Sequence, residues 1–163
     1  MNAVTAFDLK ENECKFPRLQ FGCPLIDRTI GHILSSGITE LSGEAGVGKS
    51  QVCMHLALRC QLSPEMGGCD GTAAYMSCGE GEFPIRRLSQ MAAAMTETLQ
   101  KSDPASGPLL LERVFIEEIP THEHLRDSLE KKLPDMCRDQ NLKLLIIDRY
   151  AYSIHLTFPA LFS

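Results

Sequence analysis

Residues Gly43–Ser50 read GEAGVGKS and decide the fold class of this 163-residue chain. The spacing is that of a complete phosphate loop, G-x-x-x-x-G-K-[ST]. Its glycines let successive backbone N–H groups turn toward one centre at the start of a helix, where an anion is stabilised. The stretch therefore predicts a nucleotide site in which Lys49 reaches the β- and γ-phosphates and the Ser50 hydroxyl binds Mg²⁺.

Both flanks of this loop have the pattern that it requires. Ile38–Leu41 is a short run rich in apolar and β-branched residues, which predicts a strand. Ser50–Gln61 places Val52, Leu56 and Cys60 four residues apart, which predicts one face of a helix. A strand, a phosphate loop and a helix in this order are typical of a nucleotide-binding α/β fold.

The rest of the chain continues the alternation of strands and helices. Strands are predicted at Ala73–Met76, Val114–Ile116 and Leu142–Ile147. Helices are predicted at Pro24–Ile30, Pro84–Gln100 and His124–Leu133, the last capped by Thr121. Such alternation predicts a mainly parallel sheet with helices on both faces.

The strand ending at Asp148 adds a second element of nucleotide chemistry. Leu144–Asp148 is an apolar strand that ends in a carboxylate, the Walker-B pattern. A carboxylate at that position can hold Mg²⁺, directly or through water, beside the hydroxyl of a phosphate loop. Ser50 and Asp148 are therefore the predicted metal-binding residues.

An acidic residue after the second predicted strand is a candidate catalyst. ATP hydrolysis needs a group that orients or deprotonates the attacking water. Glu80 lies between Gly79 and Gly81, which permit a close backbone approach, and is the preferred candidate. Glu82 is the alternative, and both acids could instead be solvated loop residues.

Composition narrows the class of protein. A net charge of −5 gives the whole chain no general attraction to nucleic acid, so any DNA contact must come from a local patch or a partner. No apolar run approaches the roughly 18 residues of a membrane helix, and the polar N-terminus does not look like a signal peptide.

The seven cysteines show no Cys-x-x-Cys pair, which favours reduced, structural thiols over a metal site. His122 and His124 are likewise interpreted as residues of a solvated helix start.

The order of these motifs resembles the RecA-like recombinase family. Within that family the sequence is most similar to the eukaryotic recombinase paralogues. The similar stretches are Phe21–Asp27, Gly37–Gly43 and Gly48–Gln51. Phe83–Leu88 resembles one member of that branch in particular. The resemblance covers about residues 16–148.

The resemblance implies an ATP-binding subunit of homologous recombination that acts in DNA double-strand break repair. Such paralogues work with another recombinase paralogue and assist recombinase assembly on single-stranded DNA, which implies a nuclear protein that is also cytoplasmic. ATP and Mg²⁺ are the implied cofactors, Glu80 matches the catalytic acid and Asp148 the Walker-B acid. The implied cofactor-binding residues are Gly43, Glu44, Ala45, Gly46, Val47, Gly48, Lys49, Ser50 and Gln51.

Departures from the family pattern suggest a C-terminally truncated core. We expect a short extension over residues 1–15, a partial RecA-like ATPase core over 16–148 and a non-family apolar tail over 149–163. In this fold class the strand after Walker B lies between the phosphate-loop strand and the Walker-B strand. If that strand is missing, Lys49 and Asp148 lose the structural element that sets the distance between them. We therefore expect nucleotide binding with poor hydrolysis, and whether the chain is an enzyme stays open.

Two other functions fit parts of the pattern. A small P-loop kinase is suggested by size, although Arg86 and Arg87 are the only close arginine pair that could serve a phosphate-covering lid. A non-catalytic interaction subunit would keep the fold and a partner-binding surface without turnover. A phosphotransfer assay separates the first from the ATP-binding subunit, and co-purification with and without an intact Lys49 separates the second.

Overall fold

The computed structural model describes residue 5 and residues 18–33, 37–79, 81–102, 109 and 111–149. The elements that precede β2 in the chain are α1 (Pro24–Thr29), α2 (Lys49–Arg59), a 3₁₀ turn (Pro64–Met66), β1 (Thr72–Cys78), α3 (Ile85–Ser102) and a second 3₁₀ turn (Leu111–Arg113). They are followed by β2 (Val114–Ile119), α4 (His122–Asp127), a π-helical turn (Ser128–Lys132), α5 (Leu133–Asp139) and β3 (Leu142–Asp148).

The three strands form one parallel sheet in the order β2-β1-β3. Tyr75 on the central strand lies opposite Ile116 of β2 and Ile146 of β3. Parallel neighbours require long crossovers, and α3 and the α4–α5 segment supply them. The predicted parallel α/β architecture is thus confirmed.

Alternate residues of β1 point to opposite faces of the sheet, and each face has its own core. Ala73 and Tyr75 belong to the larger cluster, which also contains residues of α2 and α3. Met76 and Cys78 belong to a smaller cluster with Leu125 of α4. Helices therefore cover both faces, as the alternation of strands and helices predicts.

The predicted strand at Ile38–Leu41 is wrong. Within the described part of the chain this segment has no strand geometry and joins no ladder, and Ile38 is 99% exposed. A β-branched apolar run becomes a strand only where a neighbouring strand accepts its hydrogen bonds. The described sheet ends at β3 and offers this segment no such neighbour.

A tight turn joins the end of α2 to the start of β1. The carbonyl oxygen of Cys60 accepts hydrogen bonds from the N–H groups of both Cys69 and Gly71, each at 3.1 Å. Gly68 donates to the Ser63 carbonyl oxygen at 3.0 Å within the same turn. These bonds fix the position of α2, and with it the phosphate loop, relative to the sheet.

The α4–α5 segment is held on β2 by one carboxylate. Thr121 caps α4 as predicted, because its hydroxyl accepts the His124 N–H at 3.2 Å. Glu117 of β2 accepts side-chain hydrogen bonds from His124, Ser128 and Lys132. Burial raises the pKa of Glu117, but these donors outweigh it and hold the pKa below its ordinary value.

The described residues contain neither a membrane-spanning helix nor a metal-binding cluster. None of the helices that the structure describes is both long and apolar enough to cross a membrane. In the same part of the chain, no three or more His, Cys, Asp or Glu side chains lie together as a metal-ion site.

Candidate functional site

The phosphate loop opens directly into α2. Gly46 and Gly48 have φ values of +82° and +100°, in the left-handed region that residues with a Cβ adopt only at a cost. Gly48 is the N-cap of α2, so the loop turns sharply into the first helical residue, Lys49. Residues 43–47 are exposed, residues 48–50 are half-buried and Gln51 is exposed. The predicted loop geometry is therefore present at the start of the predicted helix.

Lys49 folds back over this loop. Its ammonium Nζ donates to the carbonyl oxygens of Gly43 at 2.7 Å and Glu44 at 2.8 Å. The positive charge therefore lies on the loop backbone, next to the start of a helix, where the backbone N–H groups also favour an anion. This arrangement suits a phosphate ligand.

One of the two predicted metal-binding residues, Asp148, is bound by Tyr75. The buried phenol of Tyr75 donates a hydrogen bond to Asp148 Oδ2 at 2.7 Å. The other residue, Ser50 in the first turn of α2, lies near this phenol and lowers its pKa. The phenol therefore lies between the first turn of α2 and the end of β3.

The electrostatics of this cluster are those of a buried carboxylate. Burial raises the pKa of the Tyr75 phenol, the bond to Asp148 raises it further, and the nearby Ser50 hydroxyl lowers it. Burial also raises the pKa of Cys53 to about 11, with a second contribution from the charge of Asp148. Asp148 therefore lies close to α2, with Oδ2 engaged by Tyr75 and a second oxygen, Oδ1, that can bind another ligand.

The expectation that Lys49 and Asp148 lose the strand that sets the distance between them stays a prediction. The structure shows that α2 packs on the same face of β1 that carries Tyr75. Tyr75 in turn binds Asp148 at the end of β3.

Tyr75 is the site residue that the sequence analysis missed. The sequence placed it correctly in a buried strand, but nothing in its spacing relates it to Ser50 or Asp148. The available signal was chemical: a tyrosine among alanine, methionine and cysteine on a fully buried strand needs a hydrogen-bond partner for its hydroxyl. Asp148 is that partner.

The predicted catalytic acid Glu80 lies outside the described residues. Its neighbours are described, and Gly79 and Gly81 have φ values of +104° and +97°. Gly79 directly follows β1, the strand that carries Tyr75, so the segment leaves the sheet on the edge where β3 ends in Asp148. Glu82, the alternative acid, is exposed. The assignment of Glu80 stays a prediction.

The segment after Glu82 packs back onto the site. The rings of Phe83 and Tyr75 meet edge to face, with centroids 4.9 Å apart. Gln51, the last predicted nucleotide-binding residue, accepts a hydrogen bond from Arg87 Nε of α3 at 2.7 Å. These two contacts connect α3 to the phosphate loop and to the phenol that binds Asp148.

Replacing Tyr75 by phenylalanine tests the linking role of the phenol. The Tyr75→Phe variant keeps the ring and its contact with Phe83 but leaves the buried Asp148 carboxylate without its donor, which costs about 1–3 kcal/mol of unfolding free energy. Urea denaturation measures the loss. A double-mutant cycle with Asp148→Asn should show a coupling of about 1 kcal/mol. Fully additive single-mutant effects would contradict the proposed link.

The chain is similar to known proteins over most of its length. The Rad51 family model matches residues 15–159. DNA repair protein XRCC3 of Bos taurus is 34% identical over 155 residues, covering 90% of this chain and 45% of the relative. XRCC3 of Mus musculus is 32% identical over 162 residues, covering 93% and 44%. DNA repair and recombination protein RadA of Aeropyrum pernix is 31% identical over 156 residues, covering 95% and 46%.

These matches concern the length of the chain, its division into segments and its family. The chain spans about half the length of the curated relatives it matches. The family match includes part of the predicted tail over 149–163, and the division of the chain into segments stays a prediction. The RecA-like α/β fold and the resemblance to a recombinase paralogue are confirmed, because the matched model covers most of the chain and the XRCC3 proteins are among its relatives. The chain belongs to the Rad51 family.

Proposed function

We propose that this chain is the ATP- and Mg²⁺-binding core of a subunit in homologous-recombination repair of DNA. The observation that supports it best is the phosphate loop at the start of α2, on which the Lys49 ammonium lies, with the Asp148 carboxylate held by Tyr75 near the same helix. The names of the relatives, DNA repair and recombination proteins, support the biological setting. By the same analogy the subunit acts in the nucleus, with a cytoplasmic pool, and pairs with another recombinase paralogue to assist a recombinase on single-stranded DNA.

The residues present fit this ligand. The backbone of Gly43–Gly48 and the ammonium of Lys49 would hold the phosphates, because both offer positive charge or N–H donors at an exposed loop. Ser50 and Asp148 are oxygen ligands of the kind that Mg²⁺ prefers. When bound, Mg²⁺ would neutralise phosphate charge, while the hydrogen bond from Tyr75 would hold one oxygen of the Asp148 carboxylate in place.

Isothermal titration of the whole chain with ATP in the presence and absence of Mg²⁺ tests the proposal. Saturable binding that weakens when EDTA removes Mg²⁺ is the expected result. A chain with the circular dichroism of an α/β fold that fails to bind millimolar ATP with Mg²⁺ would refute it. Phosphate transfer from ATP to a common nucleotide would instead identify a kinase.

The role of Glu80 has its own test. If Glu80 orients the attacking water, Glu80→Gln should leave ATP affinity nearly unchanged and reduce any measurable turnover about 10²-fold. Glu82→Gln is a matched control, since the same change is made two residues away. A loss from Glu82→Gln with Glu80→Gln silent would transfer the role to Glu82. If the wild type binds ATP without turnover, the interaction-subunit hypothesis gains support and co-purification with a paralogue becomes its test.

A further inference from the structure

Two cysteines lie together where α2 ends and the turn to β1 begins. Cys60 follows the last residue of α2 and is fully buried, while Cys69 lies three residues before β1 and is partly buried. The Cys69 N–H donates to the Cys60 carbonyl oxygen at 3.1 Å. The turn has therefore already brought the two backbones together, although nine positions separate them in the sequence.

The side chains belong to the same part of the core. Cys69 packs against the buried cluster that contains Cys60, and the Cys60 thiol donates to the Thr72 carbonyl oxygen at 3.6 Å. The 3.1 Å bond from the Cys69 N–H to the Cys60 carbonyl oxygen holds the two Cα atoms within about 7 Å of each other, and a disulfide spans about 4.4–6.8 Å. A covalent link would therefore need little movement of the backbone.

We propose that Cys60 and Cys69 are a redox-active pair that closes to an intramolecular disulfide when the chain meets a hydroperoxide. Both residues are thiols in this structure. The inference stands on the geometry of the turn alone and does not depend on nucleotide binding.

The environment gives the two sulfurs different roles. The neighbouring Cys60 thiol lowers the pKa of the Cys69 thiol, burial opposes this, and the charge of Lys143 lowers the pKa further. The neighbouring Cys69 thiol raises the pKa of Cys60, as does burial. Because a thiolate with some exposure is the better nucleophile, Cys69 is the attacking residue and Cys60 resolves the intermediate.

The reaction balances with one hydroperoxide. The Cys69 thiol first loses its proton to solvent. The thiolate then attacks one oxygen of hydrogen peroxide, the O–O bond breaks, and Cys69 becomes a sulfenic acid while the leaving hydroxide takes up that proton as the first water. The Cys60 sulfur then attacks the sulfenic sulfur, its proton leaves with the hydroxyl group as a second water, and the S–S bond forms. Two thiols are oxidised, and hydrogen peroxide is reduced to two molecules of water.

The disulfide would close a covalent ring between the end of α2 and the approach to β1. Such a ring restricts the unfolded chain more than the folded one. We therefore expect the oxidised chain to melt at a higher temperature than the reduced chain, with the phosphate loop at the far end of α2 left in place.

Differential alkylation of the whole chain provides the test. The reduced chain is treated with hydrogen peroxide, denatured in the presence of an alkylating reagent and compared with an untreated sample. Cleavage after Arg59 and Glu65 and before Asp70 places Cys60 and Cys69 on different peptides and separates both from Cys53 and Cys78. We expect two fewer alkylated thiols, a linked Cys60–Cys69 peptide pair, and recovery of both thiols with dithiothreitol.

Variants give the controls. Cys69→Ser should abolish the linked pair, and we expect this variant to fold because Cys69 is only partly buried. Cys60→Ser, which changes a residue of the core, is the second variant that should abolish the linked pair. Cys137→Ser replaces an exposed cysteine and should leave the linked pair unchanged. Cys60 that stays alkylatable while Cys69 is oxidised to a sulfinic acid would overturn the proposal. A link that disappears in Cys137→Ser, or that migrates as a dimer without reductant, would also overturn it.

Discussion

Lys49→Ala is expected to weaken binding of ATP with Mg²⁺ at least about tenfold. A charge-assisted contact to phosphate contributes roughly 1.5–3 kcal/mol, and Lys49 is the residue whose ammonium lies on the loop backbone. Its present partners are the exposed carbonyl groups of Gly43 and Glu44, so their loss should cost little folding free energy. The effect should therefore appear in affinity and hardly in the melting temperature.

Calorimetry on three proteins decides this prediction. The wild type and Lys49→Ala are compared with Lys101→Ala, which removes an exposed lysine paired with Glu97 near the end of α3. The control should bind like the wild type. Equal affinity in Lys49→Ala, with the fold intact by circular dichroism, would contradict the assignment of the phosphate loop.

Features of the fold that depend on local sequence were predictable. The pattern of Val52, Leu56 and Cys60 predicts α2 to within two residues of its observed ends, and the hydroxyl of Thr121 caps α4. The glycines of the phosphate loop likewise predict the positive φ values that they adopt, because a positive φ is costly for other residues. In each case the determinants lie within a few residues of the structure that they specify.

Features that depend on distant partners were not predictable in the same way. Ile38–Leu41 has strand composition but lies beside no described strand, so its own residues could not decide its conformation. The hydrogen bond between Tyr75 and Asp148 joins residues 73 positions apart and depends on the pairing of β1 with β3. The cysteine spacing excluded a Cys-x-x-Cys pair but could not show that Cys60 and Cys69 meet across a turn.

Gly68→Ala is expected to destabilise the chain by about 3 kcal/mol, at the upper end of the range for overpacking. A Cβ at this position would lie 2.1 Å from the Leu62 carbonyl oxygen and 2.7 Å from that of Arg59. Both are backbone atoms, so no side-chain rotation relieves the contact. To admit the methyl group, the turn must open and α2 must shift on the sheet.

The same shift should reach the nucleotide site, because α2 carries Lys49 and Ser50 at its other end. We therefore expect Gly68→Ala to lower the urea midpoint and to reduce the fraction of molecules that bind ATP with Mg²⁺. Gly37→Ala is a suitable control: a Cβ there meets no atom within 4 Å, and only its φ of +101° opposes the change. Strain of that kind costs about 1 kcal/mol or slightly more. If the two variants unfold at the same urea concentration, the turn between α2 and β1 does not fix the helix on the sheet, and the position of the phosphate loop must be set by other contacts.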